Sequence, residues 1–217
     1  MNRETICRVM SRAMCRALAT AVMMAVTLAA CSIGKPLPQP TTYVIDLPGD
    51  EPSSPNPPRQ EALRLGNVRV AAPFAGRGLV YRFDEVRYVS DPYQAFSAEP
   101  AAMLASRIAK RLDSAGLFRA ALQPGDASPA RYVLEVSVTD LYGDFREGRT
   151  PAAVTGLQFT LVDTAGTRPR LIYERSVSRA VPLPQATPEA LVRGYGMALG
   201  AVVSQLLSDL DAVEYPR

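Results

Sequence analysis

The sequence predicts an α+β fold, a two-layer sandwich in which a mostly antiparallel sheet is covered by two amphipathic helices. Three observations predict it. Between Tyr132 and Val177, three segments alternate apolar and polar residues with period two, as half-buried strands do. Two other segments repeat apolar residues at helical spacing, and an antiparallel sheet needs only one face covered by such helices. The chain has 217 residues, 47% of them hydrophobic, which suffices for one good core.

The N-terminal end is a processing signal. Arg3, Arg8, Arg12 and Arg16 form a basic region, and Ala17 to Ala30 form an apolar stretch too short to span a bilayer. Leu28-Ala29-Ala30-Cys31 is a lipobox: small residues fit a peptidase pocket, and Cys31 supplies the thiol that is acylated. Residues 1–30 are therefore read as a lipoprotein signal peptide, and the mature chain is expected to begin at a lipidated Cys31. Three acyl chains are usual on such a cysteine. At about 0.8 kcal/mol per buried methylene they anchor a protein stably, where a single chain is marginal. Ser32, not Asp, follows the cysteine, so the enterobacterial inner-membrane retention signal is missing. The expected location is the periplasmic face of the outer membrane.

Removing that segment changes the electrostatics. It takes four of the 24 basic residues and one of the 21 acidic ones, so the mature chain has no formal net charge. Nucleic acid is thereby excluded as an expected partner. Cys7 and Cys15 leave with the segment and Cys31 becomes a thioether, so no disulfide is available. No cofactor is expected beyond the covalent lipid on Cys31.

Residues 31–62 read as the lipidated cysteine and a proline-rich tether, with a short strand at 41–47. Pro36, Pro38, Pro40, Pro48, Pro52, Pro55, Pro57 and Pro58 favour extended, partly solvated chain. Gly34 to Pro40 spans roughly 20 Å at ~3.1 Å per residue. The apolar run Tyr43-Val44-Ile45-Asp46-Leu47 interrupts this and is expected to be the first strand of the folded unit.

Residues 63–213 read as the domain. Leu65 to Ala71 and Leu79 to Phe83 are strands, and Val86 to Val89 pairs back across Asp84-Glu85. A helix runs from about Glu99 to Ala115. Leu104, Ile108, Leu112 and Ala115 lie on one face and Arg107, Lys110, Arg111 and Ser114 on the other, with Gly116 as a left-handed cap. Tyr132, Leu134, Val136 and Val138 point one way in the next strand, and Leu157, Phe159 and Leu161 in the one after. A turn at Asp163–Thr167 leads to a third strand with Leu171, Tyr173 and Val177. Arg175 breaks its pattern and marks an edge or a bulge. Thr187 caps the last helix, Pro188 opens it, and Leu191, Tyr195, Ala198, Leu199, Val202, Leu206 and Leu210 form its stripe.

Catalysis has little to work with. The chain has no His, the commonest general base and a principal zinc ligand. Ser106 and Lys110 are spaced Ser-x-x-x-Lys, not Ser-x-x-Lys, and belong on a solvated helix face. Asp140, Asp144 and Glu147 read as a polar turn in preference to a glycosidase or metal site. The only Gly-Lys pair, Gly34-Lys35, lacks the rest of a P-loop. The expectation is a protein that is not an enzyme.

Three residues are candidates for partner binding: Arg82, Tyr93 and Phe96. Arg82, beside Tyr81 and Tyr88, suits a partner carboxylate or a lipid headgroup, or else lies flat on a sheet edge. Tyr93 and Phe96 precede the first helix as an interface anchor or as a staple closing the core. Gly194, Gly196 and Gly200 allow close packing on the last helix, either within the domain or against a neighbour.

The chain resembles the ABC-type transport auxiliary lipoproteins of the paraquat-inducible protein C type. The matching features are Tyr43-Val44-Ile45-Asp46-Leu47 after the lipobox, Val68-Arg69-Val70-Ala71-Ala72-Pro73, and Gly78-Leu79-Val80-Tyr81-Arg82. Tyr93-Gln94-Ala95-Phe96-Ser97-Ala98-Glu99-Pro100, Leu161-Val162-Asp163 and Pro188 follow in order. Many relatives have Trp where this chain has Phe96, and this chain has no Trp. The resemblance implies an outer-membrane lipoprotein of an MCE/ABC-type lipid-transport system. Its implied partners are an MCE-domain protein and an inner-membrane permease or ABC components, and a homo-oligomer is expected. A lipoprotein activator or scaffold for peptidoglycan synthesis or outer-membrane assembly is the alternative.

Overall fold

Apolar alternation makes one long strand the spine of the molecule. The structure, a computed structural model, describes residues 39–48 and 56–216. The signal segment, Cys31 and Pro36, Pro38, Pro52 and Pro55 of the tether lie outside the described residues. In chain order the strands are β1 (Thr41–Tyr43), β2 (Leu63–Val70), β3 (Gly78–Arg82) and β4 (Tyr88–Phe96), then β5 (Ala121–Leu122), β6 (Tyr132–Asp144), β7 (Ala152–Asp163) and β8 (Arg170–Pro182). Helix α1 (Pro100–Ser114) lies between β4 and β5, and α2 (Pro188–Ala212) follows β8.

The spine is β6. One edge pairs antiparallel with β7 from Tyr132↔Asp163 to Asp144↔Ala152, and β7 pairs antiparallel with the outer strand β8. The other edge is shared. Its first half takes β2 in parallel, from Leu63↔Tyr132 to Val70↔Val138, and its end takes β3, also parallel, at Tyr81↔Gly143 and Arg82↔Asp144. Strand β4 is antiparallel to β3, while β1 on β4 and β5 on β2 are parallel.

The eight-stranded sheet is therefore mixed, and the expectation of a mostly antiparallel sheet is corrected. Side chains alternate with period two in either direction, so the pattern along β2 or β6 carries no record of strand direction. Parallel neighbours need long connections. Here the link from β2 to β6 contains the β3–β4 hairpin and α1.

Burial follows the alternation. Tyr132, Leu134, Val136 and Val138 are at most 1% exposed, as are Leu157, Phe159 and Leu161 on β7. Against these, α2 buries Leu191, Tyr195, Ala198, Leu199, Val202, Leu206 and Leu210. Each full burial of a Leu or Val contributes about 1.5–3 kcal/mol relative to exposure. The 25-residue α2 is long and apolar enough to cross a membrane, but 72% of its most apolar window is buried within the fold. Thr187 Oγ1 accepts from Ala190 N at 3.3 Å, which caps the helix, and Pro188 stands in its first turn. Gly116 takes φ 65° just beyond α1, the left-handed conformation that glycine adopts without a Cβ clash.

Strand β4 starts at Tyr88 and runs through Tyr93 to Phe96, where the sequence predicts a strand only over Val86–Val89. Two further local readings change. Regular strand ends at Tyr43, and Val44–Pro48 continues outside the ladder although Ile45 is fully buried and Leu47 nearly so. The segment lies between the helices. Ile45 N donates to Met103 Sδ at 3.4 Å and Asp46 pairs with Arg107 at 3.5 Å on the α1 side. On the α2 side, a Cβ at Gly196 would strike Asp46 O, and one at Gly200 would come within 2.7 Å of Pro48 O. Arg111 is the second change. Placed on a solvated face by its spacing, it is 6% exposed and donates to Ser204 Oγ of α2 at 3.4 Å.

Arg175 lies on the outer strand, and the bulge sits at Ile172, between the pairs Leu161↔Tyr173 and Val162↔Leu171. From β8, Arg175 and Tyr173 both reach Asp209 of α2, at 2.5 and 2.6 Å. A polar clamp thus tethers the outer strand to the covering helix.

Candidate functional site

Arg82, at the end of β3, is held on every side by its own fold. Its guanidinium donates to Glu85 Oε2 at 2.7 Å, Asp84 O at 3.0 Å and Tyr142 OH at 3.5 Å, and sits 5.5 Å from the Tyr88 ring centre. Glu85 also receives Arg146 at 2.5 Å, and Arg146 grips Asp144 through two bonds of 2.8 and 2.6 Å. That double contact holds the Asp144 carboxyl below the usual carboxylate range. Beneath these charges, Tyr142 stacks on Phe74 at 5.7 Å and meets Tyr88 edge-on at 5.3 Å. The cluster closes the end of the sheet where β6 exchanges β2 for β3.

Two of the three carboxylates read as a polar turn have separate partners. Asp144 belongs to Arg146, and Asp140 accepts from Thr139 Oγ1 at 2.9 Å. Among the described residues, no group of three or more His, Cys, Asp or Glu side chains is placed to hold a metal ion. Ser106 and Lys110 are both exposed on α1.

Tyr93 and Phe96 part company. Phe96 is 2% exposed and packs 6.2 Å from the Tyr195 ring, inside the core. Tyr93 is 37% exposed on an outward bulge of β4, where Asp91 Oδ1 accepts from the backbone N–H groups of Tyr93 and Gln94. Phe83, Val86, Tyr88 and Val89 are the exposed large apolar side chains of the β3–β4 hairpin, Val86 being 87% exposed; Tyr88 lies on the Arg82 side and Val89, next to it in the strand, on the other. The structure thus groups Arg82 and Tyr93 with one exposed hairpin, and Phe96 lies beneath it.

A polar seam fixes this hairpin to the helical layer. Tyr43 OH is 2.7 Å from Gln94 Oε1 and 2.8 Å from Glu189 Oε1, joining β1, β4 and the first turn of α2. Burial and then Glu189 push the Tyr43 hydroxyl up to about 12. Tyr81 OH donates to Asp91 Oδ2 at 3.1 Å behind it.

One concave feature escaped the sequence. A groove of about 440 Å³ opens along α2, between the Val44–Pro48 segment and the β8–α2 connection. Its lining is apolar apart from Asp46 and Arg193. The available signal was Gly196 and Gly200, one turn apart, which let the extended segment lie against the helix and form the groove's second wall.

The sequence model of the ABC-type transport auxiliary lipoprotein component family matches residues 43–206. A comparison with curated proteins finds no match. Among solved structures, the fold is similar to that of protein XCC0632 from Xanthomonas campestris, assigned to the DUF330 family, with TM-score 0.66 at 17% identity, covering 77% of this chain and 92% of that one. It is also similar to a structure described as an uncharacterized protein, with TM-score 0.59 at 19% identity, covering 80% and 97%. These two likenesses bear on the fold alone. The family match begins at the last residue of β1 and ends on the buried stripe of α2, so it takes in all of the sheet but Thr41 and Thr42, together with α1, the hairpin and every residue lining the groove. On that match the chain belongs to the ABC-type transport auxiliary lipoprotein family, of the paraquat-inducible protein C type.

Proposed function

We propose that this protein is a non-enzymatic subunit of an MCE/ABC-type envelope lipid-transport system, held on the periplasmic face of the outer membrane by lipid on Cys31. It docks the periplasmic MCE assembly there and so supports membrane integrity. The observation that carries this reading is the family match over residues 43–206, preceded by the lipobox Leu28–Cys31. A chain without His, whose one mature cysteine is committed to lipid, suits positioning better than bond-making. Tyr93 and the exposed hairpin residues Phe83, Val86, Tyr88 and Val89 supply apolar docking contacts around the hairpin, with Arg82 as charged support on its Tyr88 side. Bulk lipid movement needs a shielded apolar route larger than one small domain offers, so the working unit is a homo-oligomer or a cap on the MCE protein.

The test is affinity capture of the tagged, lipidated protein from mildly crosslinked envelopes, with partners identified by mass spectrometry. Enrichment of an MCE-domain protein with its permease supports the reading. Reproducible capture of a peptidoglycan synthase with no MCE protein overturns it.

A further inference from the structure

The groove along α2 has a chemistry that the docking role leaves unused. Its walls are side chains without hydrogen-bonding groups: Val44, Pro48, Leu183, Pro184, Val192 and Met197. Val44 is 51% and Met197 48% exposed, so two large apolar side chains on facing walls are turned to solvent. At roughly 30 Å³ per water-sized or methylene-sized group, 440 Å³ takes about 15 such groups, the bulk of one acyl chain. An acyl chain carries no polar group to satisfy. A peptide backbone would bring N–H and C=O groups against walls whose prolines, Pro48 and Pro184, have no N–H to return.

The rim adds charge of both signs. Arg193 is exposed one turn beyond Glu189, whose carboxyl is held low first by its own backbone N–H, then by Tyr43, and also by Arg193. Across the groove, Asp46 is 80% exposed even though Arg107 lies 3.5 Å from one of its oxygens. One cation and one anion beside an apolar slot complement a zwitterionic headgroup on an acyl tail.

We propose that this groove holds one acyl chain of a zwitterionic phospholipid, with the phosphate at Arg193 and the ammonium group at Asp46. The assignment rests on the lipid-transport reading above and names its ligand: a subunit of this kind would shelter a lipid tail at the membrane surface.

The test uses the full-length lipidated protein in vesicles of phosphatidylethanolamine and phosphatidylglycerol. The vesicles contain a trace of phosphatidylethanolamine bearing a diazirine at the end of one acyl chain. After irradiation, adducts are mapped by mass spectrometry. Adducts are expected on Val44, Leu183 or Met197. The double variant Val44→Asp/Met197→Asp changes exposed positions, and its fold is checked by circular dichroism. It should lower groove labelling by about tenfold or more, because a carboxylate in an apolar slot is poorly solvated. Arg193→Glu should lower it severalfold.

Labelling confined to the N-terminal anchor region overturns the proposal, since either mere membrane contact or the protein's own acyl chains would then explain it. Unchanged groove labelling in the double variant also overturns it. Envelope capture with the same variant separates the two readings. Lost labelling with MCE capture retained supports a lipid site distinct from the docking face. Lost capture with labelling retained makes the groove a protein-docking surface and overturns the lipid assignment. Failure of the wild type to capture any MCE protein sinks the transport reading, while the labelling result still stands or falls by itself.

Discussion

Phe96 and Tyr93 are three residues apart, and their difference is one of solvent access. Phe96 is 2% exposed against Tyr195, while Tyr93 is 37% exposed on a bulge. Phe96→Ala removes a buried ring and should cost about 3–5 kcal/mol in urea unfolding. Tyr93→Ala should stay within about 0.5 kcal/mol of wild type. A partner-binding role for Tyr93 then appears as lost envelope capture with stability unchanged. A large stability loss in Tyr93→Ala would instead make it a core residue. Local composition left both roles open for both aromatics, because an apolar residue before a helix looks the same whether it faces in or out. Arg111 carries the same lesson in reverse. Its helical spacing pointed to solvent, yet Arg111 is buried where it meets Ser204 of α2, while Lys110 and Ser114 on the same face stay exposed.

Among the elements, the Val44–Pro48 segment depends most on its neighbours. It keeps Ile45 and Leu47 in the core without a strand ladder, because α2 offers it glycines in place of side chains. Gly200→Ala tests this. Alanine favours the helix by about 1 kcal/mol over glycine, but its Cβ would meet Pro48 O, and overpacking costs about 1–3 kcal/mol. The backbone carbonyl cannot swing aside as a flexible side chain would, so the clash should win. A net loss of about 1 kcal/mol is expected, with faster amide exchange at Ile45 and Leu47. Stabilisation with unchanged exchange would show that the segment does not need the close approach. The helix ends give the opposite case: Thr187 with Pro188, and Gly116, were readable from sequence because capping is local chemistry.

At the scale of the whole molecule, distant parts of the chain meet at Arg131. Its guanidinium binds Asp163 through two nitrogens at 3.1 and 2.9 Å, Glu61 at 3.1 Å and Pro216 O at 2.8 Å. The end of β7, the approach to β2 and the C-terminal segment are thereby joined. Nearby, Tyr215 lies between Arg59, 3.7 Å from its ring centre, and Tyr132 at 5.0 Å. Hydrogen bonding from Arg131, the largest influence, holds the Asp163 carboxyl below the ordinary value. A carboxyl depressed in the folded state contributes stability that is fully present above the ordinary value of about 4 and lost as pH falls through the folded value. Asp163→Asn should therefore lower the urea midpoint near neutral pH, and the gap from wild type should close as pH falls through and below the ordinary carboxylate range. A gap that persists unchanged in acid would mean that shape, not charge, holds this junction.

By itself the sequence carried the Leu28-Ala29-Ala30-Cys31 motif read as a lipobox, the period of β6 and β7, both helices with Gly116 and Thr187-Pro188 at their ends, and the family. These rest on local chemistry or on residue order along the chain. Tertiary structure alone decided strand direction, the fork where β6 passes from β2 to β3, the burial of Phe96 and Arg111, and the groove between Val44–Pro48 and α2. Period and capping are fixed by a residue's immediate neighbours. Direction, burial and concavity depend on which distant segments come to lie against them.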